Sequence, residues 1–156
     1  MVADGHRWIV FIHVLAGFGF FLAHGASAAV VFRLRREDDP VRIRALLHLS
    51  QLSTMPAGII GLVLILAGVW AGIDLGEWTS GRLWLWTSLL VLVLVIVAMY
   101  GLISRHYYPL RERLGQGDIP ADELRAMVAD PQPLIGAWLG LGGMVLIVWL
   151  MMFRPF

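Results

Sequence analysis

The sequence predicts an all-α fold, an integral membrane four-helix up-down bundle formed by one transmembrane domain over residues 1–156. The chain is 59% hydrophobic and only 15% charged, whereas soluble domains are about 45–50% apolar and about 25% charged. Its apolar residues are concentrated in four runs of about 20 residues, the length a helix needs to cross a hydrocarbon core of about 30 Å. The connections between these runs are short, which favours antiparallel neighbours.

The first two spans are predicted over residues of about 8–32 and about 54–73, and neither interior contains Asp, Glu, Lys or Arg. The first run is longer than the apolar region of a signal peptide, about 7–15 residues, so we expect a retained helix. Asp39 and Pro40 are typical of a helix start, as N-cap and first helical residue. This predicts a long second helix that enters the membrane with a kink near Pro56, where one backbone hydrogen bond is lost.

The third and fourth spans are predicted over residues of about 83–104 and about 134–153. The third helix is expected to continue past the membrane until Pro109 disturbs it. Between these spans, residues of about 118–130 contain a short amphipathic stretch bounded by Pro120 and Pro131. We expect this stretch to form a helix on the inner surface of the membrane.

The distribution of arginine predicts the orientation of the chain in the membrane. Cytoplasmic loops carry an excess of Lys and Arg, and arginine is concentrated in the first and third loops. The prediction is therefore a multi-pass protein of the bacterial inner (plasma) membrane with the N-terminus and the C-terminus outside. The loop residues are Arg33, Arg35, Arg36, Arg42 and Arg44, then Arg105, Arg111, Arg113 and Arg125, against Arg7, Arg82 and Arg154 on the other side.

Composition also narrows the expected partners. A net charge of +1 and the lack of a basic stripe give no reason to expect a nucleic-acid partner. No cysteine is present, which excludes disulfides and thiolate ligands. The lipid bilayer is the first expected partner. Other membrane protein subunits, or self-association of the chain, are predicted from two small-residue pairs that let helix backbones approach. These pairs are Gly68 with Gly72 and Gly136 with Gly140.

Two histidines stand inside the first apolar run, at positions 13 and 24. Eleven residues of α-helix are three turns plus about 20°, so both side chains lie on one face, separated by about 16 Å along the axis. They cannot bind one shared metal ion. Ionisable residues within a membrane usually face the bundle interior and mark functional sites. His13 and His24 are therefore the leading candidate site residues.

Haem b or a related tetrapyrrole is one cofactor that these histidines could hold, since haem iron takes His and Met as axial ligands. Met151 lies at a depth similar to that of His13, and Met99 at a depth similar to that of His24. The predicted cofactor-binding set is therefore His13, His24, Met99 and Met151. The simpler alternative is that neutral imidazoles hydrogen-bond across helices to Ser, Thr or a backbone carbonyl.

Two further histidines are candidate metal ligands. His48 and His106 are predicted at the inner interface, on the second and third helices, where they could reach each other. Solvation or contact with lipid headgroups is the competing interpretation. No catalytic residue is predicted, because the spans contain no acid with which to build a Ser-His-acid set.

Several short motifs resemble a bacterial superfamily of four-helix membrane proteins. It includes the membrane protoporphyrinogen oxidases, the membrane domain of copper-resistance D proteins, and uncharacterised families that look closer to this chain. The resemblance implies a four-helix fold and bound haem at the first-helix histidine, which is His13 here. The motifs are Trp8-x4-His13-Val14-Leu15-Ala16, Met55-Pro56-Ala57, Gly81-Arg82-Leu83-Trp84 and Arg105-His106-Tyr107-Tyr108.

One departure separates the chain from the oxidases. They carry a lysine early in their third helix, where this chain has Trp86 and Thr87 and contains no lysine. Oxidase activity therefore does not follow from the resemblance, and whether the protein is an enzyme stays open. The leading expectation is a small electron-transfer or haem-handling protein that binds haem b. The alternatives are a non-catalytic accessory subunit of a larger membrane complex and a small metal or proton permease.

Overall fold

The computed structural model describes residues 2–78, 82–116 and 119–156, with side chains described except those of 2–3, 103–116 and 121. The described part of the chain is all-helical, as predicted. Its six helices are α1 (Val2–Leu34), α2 (Pro40–Thr54), α3 (Ala57–Asp74), α4 (Leu83–Gln116), α5 (Ala121–Ala129) and α6 (Gln132–Phe153).

Four stretches of helix are long and apolar enough to cross a membrane. They fall on the four runs that the sequence predicts, because each run lacks interior charge over at least the length of a hydrocarbon core. The chain thus has the composition and helix lengths of a multi-pass membrane protein. The four stretches are Asp4–Leu34, Pro40–Asp74, Leu83–Leu102 and Asp122–Phe153.

The second stretch contains the predicted interruption at Pro56. Asp39 caps α2 by accepting a hydrogen bond from the Val41 backbone N–H at 2.9 Å, as its position before Pro40 predicts. The helix breaks at Met55 and resumes as α3 after Pro56, with both residues in right-handed helical conformation. The Thr54 hydroxyl donates to the Ser50 carbonyl at 2.9 Å, a side-chain bond to the preceding turn that is typical of bent helices.

The helices α4 and α5 test the predictions made for Pro109 and for the stretch between Pro120 and Pro131. Pro109 was predicted to disturb the third helix. This prediction is wrong, because α4 continues through Pro109 to Gln116. Proline removes one hydrogen bond from a helix interior, and the turns on both sides of it stay helical. The short helix predicted between Pro120 and Pro131 is confirmed as α5.

The helices pack in the spatial order α3, α1, α6, α4. α1 lies against α3 along most of its length, α6 lies against α4 in the same way, and α1 meets α6 between these two pairs. Within the described part of the chain, no packing of comparable extent joins α3 to α4, although they are consecutive. We call the end that holds the α3–α4 connection and the start of α1 the α3–α4 end, and the opposite end the α2–α5 end.

A compact apolar core occupies the α2–α5 end. Ile43 of α2 and Leu124 of α5 are fully buried. Arg44 donates to the Ile119 carbonyl at 3.3 Å, and Arg125 donates to the Asp38 carbonyl at 3.0 Å. α5 is thus docked onto the bundle by its own apolar face, and we call this unit the cap. The core comprises Val30, Leu34, Ile43, Leu47, Ile119 and Leu124.

Candidate functional site

His13 of α1 is held by the backbone of α3. Its Nδ1 atom lies 2.9 Å from the Leu64 carbonyl oxygen. A carbonyl oxygen only accepts hydrogen bonds, so Nδ1 carries the proton and donates. In a neutral imidazole the other nitrogen, Nε2, then keeps an unprotonated lone pair. The fold therefore selects one tautomer of His13, with Nε2 able to accept a proton or bind a metal.

The His13 ring is seated on Gly68, one turn after Leu64 on α3. A Cβ placed on Gly68 would lie 2.7 Å from Cε1 and 2.9 Å from Nδ1 of His13. Real Cβ atoms do not make contacts this short, so any other residue would displace the imidazole. Because Gly68 has no side chain, the His13 ring can pack close to the α3 backbone at this position, where the sequence predicted the approach of a second helix backbone. We call a glycine that accommodates a ring in this way a notch.

Replacing Gly68 by alanine is expected to break the hydrogen bond from His13 to Leu64 and to destabilise the protein by about 1–3 kcal/mol through overpacking. Gly58→Ala on the same helix is the matched control, because a Cβ there meets nothing within 4 Å. Thermal unfolding in detergent, followed by circular dichroism, measures both variants. Equal melting temperatures for the two would contradict the notch at Gly68.

The second ring nitrogen of His13, Nε2, makes no hydrogen bond with the described residues. In the described part of the chain, three buried side-chain nitrogens have no hydrogen-bond partner: Nδ1 of His6, Nε2 of His24 and Nε1 of Trp84. Nε2 of His13 is not one of these fully buried nitrogens. Among the described residues, the ring is hydrogen-bonded to Leu64 through Nδ1, and the Nε2 lone pair has no protein donor.

His24 is placed differently, although it shares the His13 face of α1. Its ring enters a second notch, at Gly140 of α6, where an added Cβ would overlap Nε2 and lie 2.5 Å from Cε1. Phe20 of the same helix is stacked with this ring, with centroids 6.5 Å apart and planes at 11°. Nε2 of His24 is buried without a partner. Since the α6 backbone occupies the space before this nitrogen, an iron atom cannot reach it in this arrangement.

The two candidate methionines both lie at the α6 interface. Met99 of α4 packs on Gly136, with Sδ 3.6 Å from a Cβ placed there, one turn from the His24 notch. Met99 of α4 and His24 of α1 thus both pack against the Gly136–Gly140 stretch of α6. Met151 lies eleven residues after Gly140 and therefore on the same face of α6, with 37% of its surface exposed.

The inner histidines do not form a site that the structure describes. His48 is exposed on α2, and the side chain of His106 lies outside the described residues. Among the side chains that are described, no group of three or more His, Asp or Glu residues could hold a metal ion.

Trp78 has a contact role that the sequence does not predict. Its indole Nε1 donates to the Val69 carbonyl at 3.2 Å and lies 2.6 Å from a Cβ placed on Gly72. The ring also meets Trp86 edge to face, with centroids 5.0 Å apart. Trp78 thereby bridges α3 and α4 at the α3–α4 end. The sequence feature that marks this position is the pair Gly68 and Gly72, since each of these glycines accommodates a ring.

A group of polar contacts completes the α3–α4 end. Glu77 is only 7% exposed and forms an ion pair with Arg82. The Arg154 guanidinium lies over the Trp84 ring, 5.1 Å from its centroid, and the Trp84 backbone N–H donates to the Phe156 carbonyl at 3.2 Å. The two contacts of Trp84 join the residues that follow α6 to the start of α4.

Comparison of the chain with models of known protein families, with curated proteins and with solved structures finds no match. The described residues form an all-helical protein with four stretches long and apolar enough to cross a membrane. Its most distinct chemical feature is the His13 imidazole bonded to the α3 backbone.

Proposed function

We propose that the protein binds haem b through Nε2 of His13 and acts as a small electron-transfer or haem-handling component. It would do so in the bacterial inner membrane, with both termini outside. The observation that carries this proposal is the tautomer of His13, whose Nδ1 donates to the Leu64 carbonyl at 2.9 Å and leaves an unprotonated Nε2 that is not among the fully buried nitrogens.

The hydrogen bond to Leu64 is the kind of contact that metal-ligating histidines make. Such a histidine almost always donates its second ring N–H to a carbonyl, a carboxylate or water, which fixes the ring and increases its basicity. The Gly68 notch adds steric restraint to the same ring. When bound, a haem would supply one-electron chemistry at its iron. The apolar side chains of α1 and α3 would limit access of water, a property that influences reduction potential.

His24 receives a structural role in this proposal. Its ring packs in the notch at Gly140 and so joins α1 to α6. The alternative of an imidazole that hydrogen-bonds to a backbone carbonyl across helices describes His13, which bonds to Leu64. One haem at His13 is therefore proposed, and not one haem at each histidine. Met151 is the candidate sixth ligand, since it lies on the α6 face that carries the His24 notch.

The proposal is tested by the visible spectrum of protein purified in mild detergent and supplied with haem b. The wild-type protein is expected to show a Soret band, His13→Ala to lose it, and His24→Ala to keep it. His48→Ala is the matched control for a histidine substitution, because His48 is exposed on α2. A wild-type protein without a Soret band, or retention of that band by His13→Ala, would remove the proposed function.

A non-catalytic accessory subunit is the second candidate, and the packing order favours it. α3 and α4 are the edge helices of the series α3, α1, α6, α4, and each exposes large apolar side chains, such as Ile59 and Leu66 on α3. Edge helices of this kind can meet lipid or the helices of a partner. Copurification of large membrane proteins together with a missing Soret band is the result that would favour this role.

A further inference from the structure

We propose that His6 of α1 and Asp74 of α3 form a proton-dependent clamp. Protonation of the imidazole turns their contact into an ion pair, which holds the start of α1 to the end of α3. The contact lies at the α3–α4 end, which the proposed orientation places on the outer side of the membrane. The clamp would therefore respond to the pH on that side, and it does not depend on the binding of haem.

The contact between His6 and Asp74 is close without being a hydrogen bond. Nδ1 of His6 lies 3.6 Å from Oδ2 of Asp74, which is beyond the range of a hydrogen bond. Within the described part of the chain, this nitrogen is buried and has no hydrogen-bond partner. The two side chains are only 24% and 32% exposed. A partly shielded imidazole nitrogen thus faces a carboxylate that it does not yet bind.

This contact belongs to the long antiparallel packing of α1 on α3. A Cβ placed on Gly17 would lie 3.6 Å from the Leu64 side chain, and His13 bonds to the carbonyl of the same leucine. His6 precedes His13 by seven residues, which is two turns less about 20°, so both rings project toward α3. The pair of His6 and Asp74 is therefore the outermost contact of a series that fixes α1 against α3.

The charge of the imidazole decides how strongly the pair attracts. A neutral imidazole carries one N–H and no net charge, whereas a protonated one carries N–H groups on both nitrogens and a positive charge. Imidazole side chains in model peptides titrate near pH 6.5 and aspartate near pH 4, so both groups are charged at about pH 5–6. The stabilisation is therefore present at mildly acidic pH and is lost as the pH rises and His6 becomes neutral.

The other charged side chains of this end do not compete for His6. Among the described residues, Asp74 is the only acid that lies within 4.0 Å of a His6 ring nitrogen. The charged residues of α1 project about 100–200° away from His6 around the helix, and the others have partners of their own. These residues are Asp4 and Arg7 on α1, Glu77 and Arg82 between α3 and α4, and Arg154 after α6.

A double-mutant cycle tests the clamp by thermal unfolding of the purified full-length protein in detergent. A chelator is present, so that a divalent cation cannot join the two side chains. At about pH 5.5, His6→Gln, Asp74→Asn and the double variant are each expected to melt about 1–3 °C below the wild type. At about pH 8 these differences should vanish. His48→Gln is the matched control, because His48 is exposed on α2, and should match the wild type at both pH values.

A local measurement keeps the test decisive if unfolding is irreversible. The chain contains no cysteine, so Gly5→Cys and Leu75→Cys together provide two sites for spin labels beside the clamp. A Cβ on Gly5 meets nothing within 4 Å, and Leu75 is 54% exposed. Electron resonance is expected to give a narrower distribution of distances between the labels at about pH 5.5 than at about pH 8. Adding His6→Gln should remove this dependence on pH.

Two results would overturn the clamp. One is an equal coupling of His6 and Asp74 at both pH values, including no coupling at either. The other is a distribution of label distances that does not change with pH, or that changes in the same way in His6→Gln. Both measurements are made without haem, so their outcome is separate from that of the proposed function.

Discussion

Gly140→Ala is expected to lower the free energy of unfolding by about 1–3 kcal/mol or more, because the added methyl group would overlap the His24 ring. The clash lies where α1 meets α6, and the closest overlap is with Nε2 itself. Phe20 is stacked with the imidazole, with ring centroids 6.5 Å apart, and restricts its movement in that direction. We therefore expect α1 to shift away from α6 and the two helix pairs to separate at this point.

Gly142→Ala is the matched control for this prediction. It is also a helical glycine of α6, and a Cβ there meets nothing within 4 Å. Alanine is favoured over glycine in a helix by about 0.5–1 kcal/mol, so this variant is expected to be neutral or more stable. Thermal unfolding in detergent measures both. The double variant His24→Ala, Gly140→Ala should recover stability relative to Gly140→Ala alone. No recovery would mean that the His24 ring is not what Gly140 accommodates.

The second large effect is expected from Leu124→Ala in the cap. Leu124 is fully buried with Ile43, and truncation of a buried leucine to alanine costs about 2–5 kcal/mol. α5 is only nine residues long and cannot form a stable helix without this packing. We expect α5 to detach from α1 and α2 while the four long apolar helices stay folded.

Hydrogen exchange of the α5 amides and limited proteolysis of residues 119–130 measure the opening of the cap. Leu49→Ala is the matched control, because Leu49 lies on α2 with 52% of its surface exposed. Rapid exchange is expected for Leu124→Ala and wild-type protection for Leu49→Ala. Unchanged α5 protection in Leu124→Ala would show that the hydrogen bonds of Arg44 and Arg125 are sufficient to hold the cap.

Local features of the fold were predictable from the sequence. The four apolar runs, the Asp39 cap, the interruption at Pro56 and the helix α5 all depend on hydrophobic length, side-chain capping or proline geometry within a few residues. Pro109 was the exception, because its effect depends on whether the turns around it have enough other hydrogen bonds to continue as α4.

The candidate site was predictable only in part. The rarity of ionisable residues in membrane spans singles out His13 and His24, and the helical period places them on one face. Which helix each ring meets is decided by contacts distant in sequence. His13 bonds to a carbonyl 51 residues away, and His24 packs on a glycine in the last helix.

The long apolar helices and the two histidines within the first of them follow from the sequence, because hydropathy and helical period are local properties of the chain. The bond from His13 to the Leu64 carbonyl and the burial of the His24 Nε2 atom depend on which helices pack together, and only the folded chain shows this. Glycine spacing that lets two backbones approach can also accommodate a ring. In this fold the rings are those of His13 and His24 from α1 and of Trp78 from the α3–α4 connection.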